Sequence, residues 1–204
     1  MTNARVATLV LLCSTLGVVS CATWIDKRDA PASGELAAET AAPPSPAQAR
    51  PGAPADPLAA RRLLIPVKGL KRADLRDNFG EKRGLRHHHA LDIMARRGTP
   101  VVAVDDGRVV RVRRHLLGGL TVYQYDPDEK YAYYYAHLDR YATGLAEGQV
   151  IRRGDRIGYV GSTGNAPASA PHLHFAITEM DHEKRWFRGK PVNPYTYLVD
   201  PASK

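Results

Sequence analysis

Cysteine is scarce in this sequence. The two cysteines among the 204 residues, Cys13 and Cys21, both lie near the N-terminus, and no thiol occurs between Ala22 and Lys204. The latter stretch therefore holds no disulfide scaffold, no thiol nucleophile and no cysteine-based zinc site.

Apolar runs of membrane-spanning length are also missing. The apolar run near the N-terminus covers residues 6–19, fourteen residues behind Arg5. This is short for a bilayer core but typical of the apolar region of an export signal. We therefore expect the protein to be exported.

The residues behind this run, Val18-Val19-Ser20-Cys21, resemble a bacterial lipobox, in which the cysteine becomes the acylated first residue of the mature protein. The pattern predicts a signal peptide over residues 1–20 and a lipid anchor at Cys21. Ala22 follows instead of an aspartate, which favours an outer-membrane anchor facing the periplasm. The alternatives are soluble secretion after cleavage behind Ala22 and an uncleaved anchor.

Aromatic residues are absent between Asp26 and Ala60, where alanine, proline and small polar residues dominate. Such a stretch cannot bury enough apolar surface to offset the entropy of ordering. We expect residues 21–60 to be a disordered tether, which would reach about 100 Å if it were fully polyproline-like. The folded domain is then expected over residues 61–204.

The expected domain is basic, with 25 Lys and Arg residues against 16 Asp and Glu residues. A positive surface suits nucleic acid, anionic lipid or an acidic polymer by the same counterion physics. No helix-turn-helix, aromatic RNA-binding motif or zinc-finger spacing accompanies the charge, so we expect no nucleic-acid partner. A nucleic-acid- or lipid-binding protein remains an alternative, marked by strongly salt-dependent binding.

Hydrophobic alternation in the domain has a period of two. The β-branched runs at 101–104 and 109–112 flank Asp105-Asp106-Gly107 and predict a hairpin. Residues 120–125 and 131–137 predict a second, longer hairpin. Strands about ten residues apart indicate an all-β antiparallel sandwich or open barrel with few short helices.

The residue spacing within two histidine clusters predicts that their polar side chains share one site. His88 and Asp92 are four residues apart, so either an extended chain or a helix places both on one face, and the residues that follow favour a strand. In His172-Leu173-His174 alternation sends both imidazoles to one face and Leu173 to the core. Two histidines and a carboxylate can supply the three ligands of an open zinc site.

Simpler interpretations exist for each cluster. The triple histidine at 87–89 could be a solvated basic loop, and His137 could be an ordinary hydrogen-bonded histidine that shares a face with Tyr131, Tyr133 and Tyr135. The metal-site hypothesis therefore depends on the clusters taken together.

Several motifs together resemble the LytM/lysostaphin-type zinc endopeptidases of peptidoglycan, over about residues 63–198. The matching strings occur in the family's order and are Asn78-Phe79-Gly80, His88-x-x-x-Asp92, Gly98-Thr99-Pro100-Val101, Tyr135-Ala136-His137-Leu138, Gly161-Ser162-Thr163-Gly164-Asn165 and Pro171-His172-Leu173-His174-Phe175. The resemblance implies the fold of that family, of the duplicated hybrid motif type.

The resemblance also implies a site. It assigns a Zn²⁺ ion to His88, Asp92 and His174, and a general base and a transition-state-stabilising group to His137 and His172 in an order that it leaves open. Asn165 and Tyr135 are expected to contact substrate. The implied activity is hydrolysis of peptide cross-links in peptidoglycan.

The sequence departs from the family pattern in that Ala90 stands where glycine is usual, and His87 and His89 flank the expected ligand. All five expected side chains are nonetheless present. Members that have lost metal ligands regulate amidases, so a non-catalytic peptidoglycan-binding or amidase-activating protein is the alternative. Any amidase or division protein acting as regulator is left open.

Overall fold

The computed structural model describes residues 56–201. The predicted signal peptide, the anchor at Cys21 and nearly all of the tether lie outside these residues and stay predictions. Within the described residues no helix combines the length and apolarity needed to cross a membrane.

Ordered structure begins with a short helix, α1 (Pro57–Arg61). The Asp56 side chain caps it by accepting a hydrogen bond from the Leu58 amide at 2.9 Å, and proline occupies the first helical turn, where no amide donor is required. Leu58 is buried in the core. The helix therefore begins four residues before residue 61, where we expected the domain to start.

The rest of the described chain is almost entirely strand and turn, joined by short 3-10 turns. The strands are β1 (Leu63–Leu64), β2 (Lys82–Arg83), β3 (Arg86–His87), β4 (Leu91–Met94), β5 (Pro100–Val102), β6 (Gly107–His115), β7 (Gly119–Tyr125), β8 (Tyr131–Tyr141), β9 (Val150–Ile151), β10 (Arg156–Val160), β11 (His172–Glu179), β12 (Lys190–Val192) and β13 (Leu198–Val199), and the 3-10 turns are Arg72–Asp74, Trp186–Arg188 and Pro194–Thr196.

Most strands belong to one antiparallel sheet, in the order β12-β11-β8-β7-β6-β9, and β10 also joins β8 to β5. Strand β4 pairs with β11, and β2 pairs with β3 as a separate hairpin. The two-residue strands β1 and β13 run parallel, unlike the other described pairs. The expected all-β, mainly antiparallel fold with few short helices is confirmed.

One predicted hairpin is confirmed and one is wrong. Strands β7 and β8 pair antiparallel, as expected. Strands β5 and β6 do not pair with each other, because β5 pairs with β10 and β6 pairs with β7 and β9. The turn at Asp105-Asp106-Gly107 carries the chain from one set of partners to another, and β-branched composition does not specify a partner strand.

The core gathers around the two central strands β8 and β11. Leu173, Phe175 and Ile177 of β11 are fully buried, as the alternation predicted. From β8, Tyr133 and Tyr135 are equally buried, and their hydroxyls donate to Asp105 Oδ2 at 3.1 Å and to Gln124 Oε1 at 2.7 Å. Buried tyrosines are tolerated because each polar tip has a partner.

A cluster of charges joins the first helix to this core. Arg61 lies 2.9 Å from Asp105 and 2.7 Å from Asp126, and it also pairs with Asp128. The side chain of Asp126 is fully buried. Removal of Arg61 would leave a buried carboxylate without its cation, so this contact keeps α1 on the domain.

Leu173→Ala is expected to lower the free energy of unfolding by about 2–5 kcal/mol, because it opens a cavity between the two histidines of β11. Leu116→Ala is the matched control, since Leu116 is 87 % exposed, and its effect should stay within about 0.5 kcal/mol. Urea denaturation of both variants measures the difference. Equal losses would contradict the placement of Leu173 in the core.

Candidate metal centre and active site

Three side chains place their ligand atoms together at the end of the central strands. One donor atom each from His88, Asp92 and His174 lie within 4.8 Å of one another. Asp92 Oδ1 is 2.9 Å from His174 Nδ1 and 3.2 Å from His88 Nε2, and the two imidazole nitrogens are 3.3 Å apart. The structure therefore brings together the three residues expected to bind metal.

The pairing of β11 with β4 sets two of these positions. His174 and Asp92 face each other directly in the antiparallel register, so their side chains emerge side by side. His88 lies in the irregular segment between β3 and β4, because the strand begins only at Leu91. The expected pairing of His88 with Asp92 holds, although no continuous strand provides it.

Asn78, a residue to which no role was assigned from the motifs, holds both His88 and Asp92 in place. Its carbonyl oxygen lies 3.1 Å from His88 Nδ1, and its side-chain oxygen accepts the Asp92 amide at 3.1 Å. A carbonyl only accepts, so His88 Nδ1 carries the proton and Nε2 is left for a metal. The one sequence signal was its place at the start of the Asn78-Phe79-Gly80 motif.

The neighbouring histidines do not compete for the ligand position. His88 is buried, whereas His87 and His89 are exposed. His87 Nδ1 contacts the Gly80 carbonyl at 3.1 Å, and the rings of His87 and His89 stack with centroids 6.4 Å apart. The triple histidine is thus one inward side chain between two outward ones.

Asp92 is held as a carboxylate. Burial by itself raises its pKa, but the neighbouring His174, His88 and Arg83 side chains outweigh this effect and keep the pKa well below its ordinary value. Arg83 Nη2 donates to Asp92 Oδ2 at 2.6 Å. One carboxylate oxygen therefore meets a cation while the other faces the two histidines.

His137 and His172 stand beside the three ligand residues, with ring centroids 4.9 Å apart. Each binds a backbone carbonyl through Nδ1, His137 that of Thr163 and His172 that of Ala170, both at 2.8 Å. These contacts place the proton on Nδ1 of the neutral rings, so Nε2 can accept a proton in the cleft. Burial lowers the pKa of His137 to about 4.

A β-bulge in β8 gives His137 its direction. Val122 pairs with Tyr135 but Leu120 pairs with Leu138, so the partner strand is one residue short of β8 at this point. His137 takes up the extra residue with a φ of +58°. Beyond Ala136 the bulge therefore exchanges the two faces of β8. His137 lies on the cleft side with Tyr134, and Leu138 lies on the core side with Tyr135.

The expected contact of Tyr135 with substrate is wrong for this reason. Tyr135 is fully buried and hydrogen-bonded within the core. Tyr134 lines the cleft instead, with its ring 6.0 Å from that of His174 in an edge-on arrangement. A strict period of two assigned Tyr135 to the face of His137, and a single extra residue reversed that assignment.

The segment Gly161-Ser162-Thr163-Gly164-Asn165 stabilises the bulge through hydrogen bonds of Thr163. Thr163 Oγ1 accepts the Leu120 amide at 2.9 Å and donates to the Leu138 carbonyl at 2.7 Å, while the Thr163 carbonyl holds His137. Gly164 has a φ of +76°, and a Cβ there would lie 2.2 Å from the Leu117 carbonyl oxygen. Glycine is required at this close approach.

Two open cavities flank the cluster, of about 220 and 300 Å³. Asn165, expected to contact substrate, lines both of them, as do Arg83 and His137. The larger cavity also contains Asp92 and His172, and the smaller contains His174. The site is a groove that runs over the ligand residues.

The donor set fits a divalent cation with nitrogen and oxygen preferences. It comprises two imidazoles and one carboxylate, and backbone contacts orient His88 while an arginine orients Asp92. Zinc is commonly bound by such ligands in catalytic sites, which leave a further position open.

Comparisons with known proteins agree with this site. Residues 86–194, more than half of the chain, match the family model "Peptidase family M23". An L-Ala–D-Glu endopeptidase of Bacillus subtilis is 32% identical over 131 residues, which cover 60% of this chain and 39% of the relative. The murein hydrolase activator NlpD of Salmonella dublin is 35% identical over 124 residues, which cover 60% of this chain and 28% of NlpD.

A solved zinc-containing peptidase from Vibrio cholerae is similar in structure, with a TM-score of 0.50 and 26% identity. The match covers 66% of this chain and 39% of that one. The chain thus spans well under half the length of these proteins. The resemblance drawn from the motifs is confirmed at the level of family and fold.

Asn78→Ala is expected to weaken zinc binding about 10–100-fold, because it removes the amide that holds the Asp92 backbone beside His88. Asn165→Ala is the matched control, since Asn165 lines the cavities but none of the described hydrogen bonds joins its side chain to a ligand residue, and its zinc affinity should equal that of the unmodified protein. Competition with a chromogenic chelator measures both. Equal affinity in all three proteins would contradict the role of Asn78.

Proposed function

This chain belongs to peptidase family M23, and from that premise we propose that it is a zinc-dependent endopeptidase that hydrolyses peptide cross-links of bacterial peptidoglycan. One observation carries the proposal. His88, Asp92 and His174 converge within 4.8 Å, beside His137 and His172, whose Nδ1 atoms are bound to backbone carbonyls and whose Nε2 atoms are left for the groove. The named endopeptidase from Bacillus subtilis supports the reaction type.

Zinc is the cation that suits the site best. Two imidazoles and a carboxylate are borderline donors that select zinc over calcium or magnesium, which prefer all-oxygen sites. The zinc content of the Vibrio cholerae peptidase supports the same choice. When bound, zinc polarises the scissile carbonyl and lowers the pKa of water to about 7.

The protein's own residues would handle the proton. His137 and His172 are each fixed through Nδ1, so each presents Nε2 at a defined place in the groove. One of the two accepts the proton of the attacking water and returns it to the leaving amine. The other would take up a proton from solvent at its Nε2 and donate a hydrogen bond to the oxyanion of the tetrahedral intermediate.

The groove would hold the peptide in an extended form across these groups. Tyr134 and Asn165 line it, and their polar atoms are of the kind that bind a peptide backbone. The buried face of β11 keeps the floor rigid, because Leu173 and Phe175 are locked in the core. The geometry between the histidines and the scissile bond is thereby maintained.

A second function has a specific observation in its favour. NlpD is named as a murein hydrolase activator and is 35% identical to this chain. A protein of that kind would present the same groove without turnover. The retention of all five site residues favours the enzyme, and metal content with product analysis separates the two.

We also propose that the domain acts close to a membrane. The lipobox-like residues before Cys21 and the proline-rich stretch behind it support a lipid-anchored, periplasm-facing protein on a flexible tether. Acylation of Cys21 would be seen as a mass shift that is lost in Cys21→Ser. The mass of an unacylated chain that begins behind Ala22 would favour soluble secretion, and the mass of the full-length chain would favour an uncleaved anchor.

His174→Ala and Asp92→Ala are each expected to abolish zinc binding and to reduce fragment release from cross-linked peptidoglycan by about 10³-fold, because the ligand set is broken. His182→Ala is the matched control, since the His182 side chain is exposed and lines neither cavity. Metal analysis and mass spectrometry of digested peptidoglycan give both readouts.

The two functions predict different results in that experiment. About one zinc per chain together with new peptide fragments supports the enzyme. Zinc-free protein that releases nothing supports the activator, and activity that survives unchanged in both ligand variants overturns the zinc mechanism.

A further inference from the structure

One cation lies directly against the metal-ligand cluster. Arg83 is the last residue of β2, and its Nη2 donates to Asp92 Oδ2 at 2.6 Å. Asp92 turns its other oxygen, Oδ1, to His88 and His174. The guanidinium therefore stands on the outer side of the carboxylate, where the groove opens.

Arg83 contributes to both cavities that flank the cluster. It lines the smaller one with Tyr134 and His174, and the larger one with Met94 and His172. A peptide bound in either cavity would therefore lie close to the Arg83 guanidinium. Among the side chains that the structure describes at the two cavities, Arg83 is the one Lys or Arg residue and Asp92 is the one carboxylate.

Most of the hydrogen-bonding capacity of Arg83 remains available. A guanidinium has five N–H groups in a planar fork, and among the described side chains Asp92 is the one partner of Arg83. About half of its side chain is exposed, at 48 %. Arg61 is a contrast, because it is 16 % exposed and pairs with three carboxylates.

The chemical partner of such a group is a carboxylate. Arginine binds carboxylates through two parallel hydrogen bonds, and an ion pair of this kind is strongest where water is partly excluded. A divalent ion on the three ligand residues would add positive charge beside Arg83. An anionic group of the substrate would be drawn to this side of the groove.

We propose that Arg83 is a specificity-determining residue that binds a free carboxylate of the substrate peptide near the scissile bond. The inference rests on the proposed peptidase function and goes beyond it, because it states which peptides the site prefers. The bond to Asp92 restricts the orientation of the guanidinium, and its N–H groups that do not bind Asp92 remain available to a substrate in the groove.

The test compares purified cross-linked peptidoglycan with the same material after its carboxylates have been converted to carboxamides. The unmodified protein is expected to release fragments about 10–100-fold more slowly from the amidated material, the range for a charged hydrogen-bond pair. Arg83→Gln should lose activity on native material by the same factor and change little on amidated material. The activity of Arg83→Lys on native material should lie between those of the unmodified protein and Arg83→Gln, since lysine keeps the charge but cannot form two parallel hydrogen bonds.

A control arginine and a metal readout separate recognition from a structural role. Arg97→Gln removes a similarly exposed arginine, bound to Asp139 and Ser162 outside the two cavities, and should behave as the unmodified protein. Zinc content should stay at about one per chain in Arg83→Gln. Loss of zinc with an equal loss of activity on both materials would show that Arg83 only orients Asp92 and would overturn the proposal.

Co-sedimentation with the two materials tests the proposal independently of hydrolysis. If the unmodified protein releases nothing from either material, the proposed peptidase function fails. Retention on the two materials then still tests whether Arg83 binds carboxylates. Stronger retention on native than on amidated peptidoglycan, lost in Arg83→Gln and kept in Arg97→Gln, supports carboxylate binding. Equal retention of the unmodified protein on both materials contradicts it.

Discussion

The double pairing of strand β11 is the constraint on which the site depends. Through one edge β11 bonds to β4, which places His174 opposite Asp92, and through the other it bonds to β8, which places His174 beside Ala136. The chain segments that carry these residues are far apart in sequence. Backbone hydrogen bonds, which fix the register of paired strands, thus place two of the three candidate metal ligands side by side.

An irregularity in strand β8, the bulge at His137, completes the site. The bulge at His137 ends the pairing of β8 with β11 and begins its pairing with β10. The extra residue turns the imidazole into the groove, and the Thr163 hydroxyl and carbonyl hold both the strand and the ring. A positive φ at a non-glycine residue is uncommon and is found where surrounding contacts over-determine the backbone.

Backbone and side-chain contacts set the protonation state of the site residues. Asn78, Thr163 and Ala170 present carbonyl oxygens to three histidines, which places each imidazole proton on Nδ1 and leaves Nε2 in the groove. Arg83 holds the outer oxygen of Asp92 and, in our proposal, also receives substrate. In that proposal the residue that orients Asp92 also selects the peptide.

The sequence by itself determined the fold class and the five central side chains. Alternation placed His172 and His174 on one face and Leu173 and Phe175 in the core, and this holds because β11 is a regular strand. Local patterns of this kind reflect the two-residue period of an extended chain. The hairpin of β7 and β8 was predicted, but only the tertiary structure decided the other strand pairings. It separated β5 from β6, exposed Tyr134 instead of Tyr135 to the groove, and brought Asn78 and Arg83 to the candidate metal ligands. Partner choice and bulges depend on contacts between distant segments, and these leave no periodic signal in the chain.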